Sequence, residues 1–213
     1  GSMMRANRWA LHQVRQHADR FIAAGTVFPL AMDIVECLHM LHDEGVRLLK
    51  IHPAIDPHNI ADPRAHIFYA KAQELGMALD YHTGPHNARL SNTRPEAFDD
   101  IAWDYPGLKL VFEHLGGRTY IEDFMAILAN HKPGRVFGGL TSVLQPEHKM
   151  WYLNAEKVAE LLRCVGAERL IFGLDFPWNP PESTLRDLEI IRNLGLGEAE
   201  LEKILGGNLL TLL

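Results

Sequence analysis

Long apolar runs are missing from this sequence. None approaches the ~20 residues needed to span a bilayer, and the first residues do not read as a signal peptide. Positive charge is short as well. The formal net charge is -6, which removes the electrostatic case for nucleic acid or an anionic membrane surface as a partner. Cysteine is nearly absent. The two present, Cys37 and Cys164, stand alone in helix-like segments and are expected to be buried free thiols in a reducing, cytoplasmic compartment. No low-complexity segment or linker breaks the chain, so its 213 residues are expected to form one domain. Gly1-Ser2 ahead of Met3-Met4 reads as an expression scar.

What is present is a regular alternation. Helical spacing over 5–17 precedes a buried strand expected at 21–28. Helix 32–43, strand 46–51, helix 64–75 and strand 77–82 follow. Helix 95–103, strand 108–114, helix 120–130, strand 135–140, helix 155–165 and a strand at 169–174 complete the pattern. Helices over 182–193 and 198–205 close the chain. Strand and helix alternate with no hairpin signal, which predicts a parallel α/β sheet. The turns entering strands are short and built on Gly45, Gly76, Gly107, Gly134 and Gly166. Those leaving strands are long and polar. In parallel α/β folds the outgoing loops build the working face.

Histidine is plentiful, with 12 in the chain, and several fall where strands end. Successive strands finish on Lys50 with His52, on His82, on His114, on Thr141-Ser142 and on Asp175. The last of these follows Leu170-Ile-Phe-Gly-Leu. A carboxylate at the exit of a buried strand needs a cation, a donor or a metal. Imidazoles and a carboxylate brought from separate strands to one mouth have the chemistry of a catalytic zinc site. Each residue also has a plainer reading. His82 and His114 precede glycine turns, Lys50 stands within reach of Asp80 or Glu113, His52 precedes Pro53, and Thr141 and Ser142 suit a turn. Trp178 suits a pocket wall or loop packing.

The segments Gly45-Val-Arg-Leu-Leu-Lys-Ile-His-Pro53, Leu79-Asp-Tyr-His-Thr-Gly84, Pro106-Gly-Leu-Lys-Leu-Val-Phe-Glu-His-Leu-Gly-Gly117 and Leu170-Ile-Phe-Gly-Leu-Asp-Phe-Pro-Trp178 resemble the amidohydrolase-related family of metal-dependent (β/α)8-barrel enzymes. That family includes hydrolases and the aminocarboxymuconate-semialdehyde decarboxylase branch. The resemblance implies a TIM-barrel α/β fold. It implies a divalent ion, zinc or manganese, held by His82, His114 and Asp175. It gives Asp175 and His114 the catalytic steps and allows Lys50 a substrate-facing role; Lys50, His52 and Trp178 are the candidates for contact with a small carboxylated, lactone or amide substrate. The family's opening His-x-His strand has no counterpart here, so an incomplete barrel of about six strand–helix units is expected, against about 250 residues for a full one. The activities implied are hydrolysis through a metal-activated water, non-oxidative decarboxylation, or a silent barrel with a binding role. The exposed strand edges of such a barrel predict a homo-oligomer.

Overall fold

Among the described residues six strands run parallel in the order in which the chain makes them. They are β1 (Ala24–Gly25), β2 (Leu48–Ile51), β3 (Ala78–His82), β4 (Lys109–Glu113), β5 (Val136–Gly139) and β6 (Leu170–Ile171). Helices α1 (Ser2–Gln16), α2 (Ile34–Asp43), α3 (His66–Glu74), α4 (Pro95–Asp104), α5 (Gly117–Asn130) and α6 (Ala155–Val165) each precede a strand. Helices α7 (Pro181–Arg192), α8 (Glu198–Glu202) and α9 (Asn208–Leu210) follow the last one. This computed structural model describes residues 2–213; Gly1, part of the expected scar, lies outside them. The sheet is that of a TIM-type barrel left open. Among the described residues β1 and β6 pair with β2 and β5 and not with each other.

The period-two alternation of the strands separates the layers. Leu49, Ile51, Leu79, Tyr81, Leu110 and Phe112 point outward and are buried under the helices. Phe112 meets Phe98 of α4 and Phe124 of α5 at ring-centroid distances of 5.3 and 5.0 Å. These tilted contacts lock helix to sheet. On the inner face Ala78, Val111, Phe137 and Ile171 form a second apolar cluster, closed by Leu209 and Leu212 from the end of the chain. That cluster plugs the bottom of the barrel. Register then fixes the upper layers. Leu48 pairs with Ala78 and Lys50 with Asp80, so two residues further on His52 stands level with His82.

Several expected boundaries move. The strand expected at 21–28 shrinks to two residues, with Phe21 and Ile22 exposed by 57% and 61%. β1 has a neighbour on one side only. On α1 the Asn7 side chain donates to Thr26 O at 2.7 Å and accepts from Thr26 N–H at 2.8 Å, standing in for the next strand. β6 stops at Ile171 because the Phe172 N–H turns to Ile204 O at 2.8 Å. Helix α5 starts three residues earlier than expected, at Gly117. The helix expected over 198–205 gives way to a π-turn over Lys203–Gly207 before α9. Cys37 is half-buried and Cys164 is exposed, so neither is the buried thiol that was expected.

Candidate active site

The loops leaving the strands enclose one large pocket of about 1000 Å³ at the C-terminal edge of the sheet. Lys50, His52, His82, His114, Asp175 and Trp178 all line it. Topology therefore brings together every residue singled out from the sequence. Strain collects at the same rim. His114, Leu115, Ser142 and Asp175 all have left-handed backbones, with φ of 67°, 50°, 55° and 53°. Non-glycine residues in that region persist only where the surrounding structure imposes it, and they gather at functional sites.

The floor of the pocket is a charged layer. Lys50 Nζ donates to both oxygens of Asp80 at 3.1 and 3.2 Å. Burial pulls the Lys50 amine down, but Asp80 and Glu113 more than offset it and the group is raised overall. Burial pushes the Asp80 carboxyl up against the pull of Lys50. Glu113 is buried beside them with its Oε2 unpartnered. Gly139 provides the room: a Cβ there would sit 2.6 Å from the Glu113 carboxylate.

Above this layer the histidines form a relay whose tautomers follow from its ends. His114 Nδ1 lies 2.7 Å from Thr141 O. A carbonyl only accepts, so Nδ1 carries the proton. Burial lowers the His114 pKa, so its ring is neutral near pH 7 and Nε2 holds a lone pair. His82 Nδ1 lies 3.1 Å from that Nε2 and must be the donor. His82 Nε2 is then a bare lone pair, buried and without a hydrogen-bond partner. Burial first, then the neighbouring His114 and His52, push the His82 pKa far below the usual imidazole range. His52 stacks on His82 at 3.9 Å between ring centroids, and burial, then His86, lower its pKa to about 4.

Asp175 is placed differently from the sequence expectation. It is exposed, not buried at a strand exit. Its Oδ2 accepts from Ser142 Oγ–H at 2.9 Å. Asn179 Nδ2 donates to that Ser142 Oγ at 2.9 Å, and His148 Nε2 lies 3.2 Å from Asn179 Oδ1. A chain of donors thus runs from His148 through Asn179 and Ser142 to the carboxylate. Trp178 stands at the mouth, 85% exposed. His114, expected as a ligand, has both ring nitrogens engaged, by Thr141 and His82.

Among the described residues His52, His82 and His86 form a group of potential ligands, each with one ring nitrogen within 4.8 Å of the others. The buried lone pair of His82 fits a divalent ion, since neutral imidazole nitrogen is a zinc-type donor. Sequence reading passed over His86, Trp151 and the orienting work of Thr141 and Ser142. For His86 a signal existed: it follows His82 by four residues across Gly84-Pro85, a turn that returns the chain. Trp151 lies in a long loop and only the fold carries its ring to within 6.1 Å of His82.

The family model described as Amidohydrolase matches residues 1–212. No curated protein matches the chain. Among solved structures, an uncharacterised TIM-barrel protein from Bordetella bronchiseptica is 21% identical, with a TM-score of 0.78 over 97% of this chain and 71% of its own. A proposed 2-pyrone-4,6-dicarboxylic acid hydrolase from Pseudomonas putida is 19% identical, with a TM-score of 0.72 over 97% of this chain and 76% of its own. A dihydroxybenzoic acid decarboxylase from Polaromonas, solved with manganese and 2-nitroresorcinol, is 14% identical, with a TM-score of 0.72 over 99% of this chain and 74% of its own. At these identities the likeness speaks for the fold. Among the described residues, no helix is long and apolar enough to cross a membrane.

Proposed function

The chain belongs to the amidohydrolase family, and from that premise we propose that it is a metal-dependent hydrolase of a small carboxylated lactone or amide. The observation that carries the reading is His82 Nε2, a buried lone pair held toward the pocket by the Thr141–His114–His82 relay with nothing to accept it. His82 would hold a zinc-like ion, with manganese the alternative. The chemistry such an ion supplies is a bound water with its pKa lowered toward ~7.

The chain's own residues carry the remaining work. Asp175 is the proton acceptor: it is solvent-accessible, has no cation partner among the described residues, and is held in place by Ser142 Oγ–H. It takes a proton from the attacking water and delivers it to the leaving oxygen or nitrogen. His114 fixes the His82 ring, a positioning role that uses both its nitrogens. Lys50, held beside Asp80 in the pocket floor, presents a positive group to a substrate carboxylate. Trp178 at the mouth gives an apolar face for its ring or chain.

Metal content and turnover test this together. Purified protein is expected to contain about one equivalent of a divalent ion and to hydrolyse at least one member of a panel of carboxylated lactones and amides. His82→Ala should lose both ion and activity. Asp175→Asn should lower kcat about 100-fold or more. Release of carbon dioxide from hydroxybenzoates in place of hydrolysis would move the assignment to the decarboxylase branch. Absence of any bound ion, with no turnover across the panel, would leave a silent barrel.

A further inference from the structure

The geometry points to a three-histidine cation site, His52–His82–His86, as the place where this chain binds a zinc-like ion, independent of the Asp175 carboxylate. The inference rests on the metal-dependent reading above and names its ligands.

Local structure explains why these three meet. β2 and β3 are adjacent and parallel, and the Lys50–Asp80 pairing carries His52 and His82 out of the sheet side by side. Gly84, with φ of 91°, then reverses the chain. A Cβ there would lie 3.0 Å from the Gly116 backbone, so the turn is pinned against the neighbouring strand exit. His86 returns over the pair, with its ring nearly perpendicular to both others at centroid distances of 4.9 Å. Three ring nitrogens converge within 4.8 Å as a result.

Each of the three is available as a ligand. His82 Nε2 and His86 Nδ1 are both shut off from solvent and have no hydrogen-bond partner. Two unpartnered imidazole nitrogens side by side are costly unless something accepts their lone pairs. His52 Nδ1 holds only a 3.4 Å contact from the Ile55 N–H, so little restrains its ring. Asp175 by contrast lies outside this group and already has Ser142 as a donor.

One movement is required. Parallel rings stacked at 12° cannot both point at one ion. Ligand nitrogens in a tetrahedral zinc site stand about 3.3 Å apart. His52 must therefore turn out of the stack, and its weak Ile55 contact is what it gives up. Three neutral imidazoles favour zinc, copper, nickel or cobalt over magnesium or calcium. The fourth position is left to water or substrate, as in catalytic zinc sites.

Calorimetric titration of tag-free, metal-stripped full-length protein with zinc chloride tests the assignment, with cobalt absorption as a second readout of coordination. Wild type should bind one zinc. His52→Ala and His86→Ala should each weaken binding at least about tenfold, while Asp175→Asn changes it by less than about threefold. His86→Gln, with far-UV circular dichroism, separates loss of a ligand from loss of fold: binding should weaken in a protein with the wild-type spectrum. Two results overturn the inference alone: undiminished binding in His52→Ala and His86→Ala, or loss of binding in Asp175→Asn to match them. Failure of wild type to bind any zinc, cobalt or manganese overturns both this site and the metal-dependent reading.

Discussion

Imidazoles kept neutral by burial make acid the natural stress on this molecule. His52, His58, His82 and His114 all have lowered pKa values, with burial the leading cause in each. The sign follows from linkage. For His52 the ordinary value is 6.5 and the folded value about 4. Between them the unfolded chain takes up a proton that the folded chain refuses. Stability is full above 6.5 and is lost as the pH falls through about 4. Urea midpoints of metal-free protein should fall steadily from pH 7 to pH 4.5. His52→Gln should flatten that dependence by on the order of 1 kcal/mol, discounted for the partial exposure of the ring. An identical slope in the variant would remove His52 from the account. The neighbouring Asp175 is a lesson at the same scale. Its sequence position, after Leu170, Ile171 and Phe172, implied a buried carboxylate. Its left-handed backbone turns it outward into solvent, where Ser142 suffices as a partner.

At the scale of elements, the turn from β4 into α5 holds the site together. Thr83 Oγ accepts from the Gly116 N–H at 2.7 Å and donates to Glu113 O at 2.5 Å, tying the β3 exit to the β4 exit. Gly117 has φ of 58°, and a Cβ on it would fall 2.5 Å from Met150 O and 2.8 Å from Trp151 Cα. Both are backbone atoms that cannot swing aside. Gly117→Ala should therefore cost about 1–3 kcal/mol and push the loop carrying Trp151 off the pocket. Chemical denaturation measures the first effect and Trp151 fluorescence the second; unchanged values of both would show that the loop yields freely. The closing segment offers a parallel test. Asn208 Nδ2 donates to Ala167 O in the turn before β6 and to Leu170 O at its start, at 2.8 Å each. Asn208→Ala removes a donor from each carbonyl and leaves Ala167 O with only the Leu170 N–H, and a loss of about 1–3 kcal/mol in stability, read from the denaturation midpoint, is expected.

For the whole molecule, the open sheet is the dominant fact. β1 and β6 each lack a second strand neighbour among the described residues. Asn7 covers one point of the first edge and Ile204 O one point of the second. Around them Phe21, Ile22, Leu174 and Phe176 remain exposed. Apolar side chains beside uncovered strand edges favour association with another chain. Sedimentation velocity is expected to show a dimer, reduced to monomer by Phe21→Glu with Ile22→Glu. A monomeric wild type at tens of micromolar would dismiss the expectation.

The sequence by itself determined the alternation of strand and helix, the parallel sheet, and the face on which the pocket opens. Period-two and period-3.6 burial, glycine turns and loop length are local properties, and local properties are legible in a chain. They were enough to put Lys50, His52, His82, His114, Asp175 and Trp178 in one pocket. Tertiary structure alone decided which nitrogens are free. The tautomers of His82 and His114 depend on a carbonyl 27 residues beyond His114 in the chain. The meeting of His52, His82 and His86 depends on strand register and on a turn pinned by Gly116. The length of β1 and the exposure of Asp175 depend on what stands beside them in space. A hydrogen bond or a ligand set is fixed by distances of a few ångströms between remote segments, and spacing along the chain does not contain those distances.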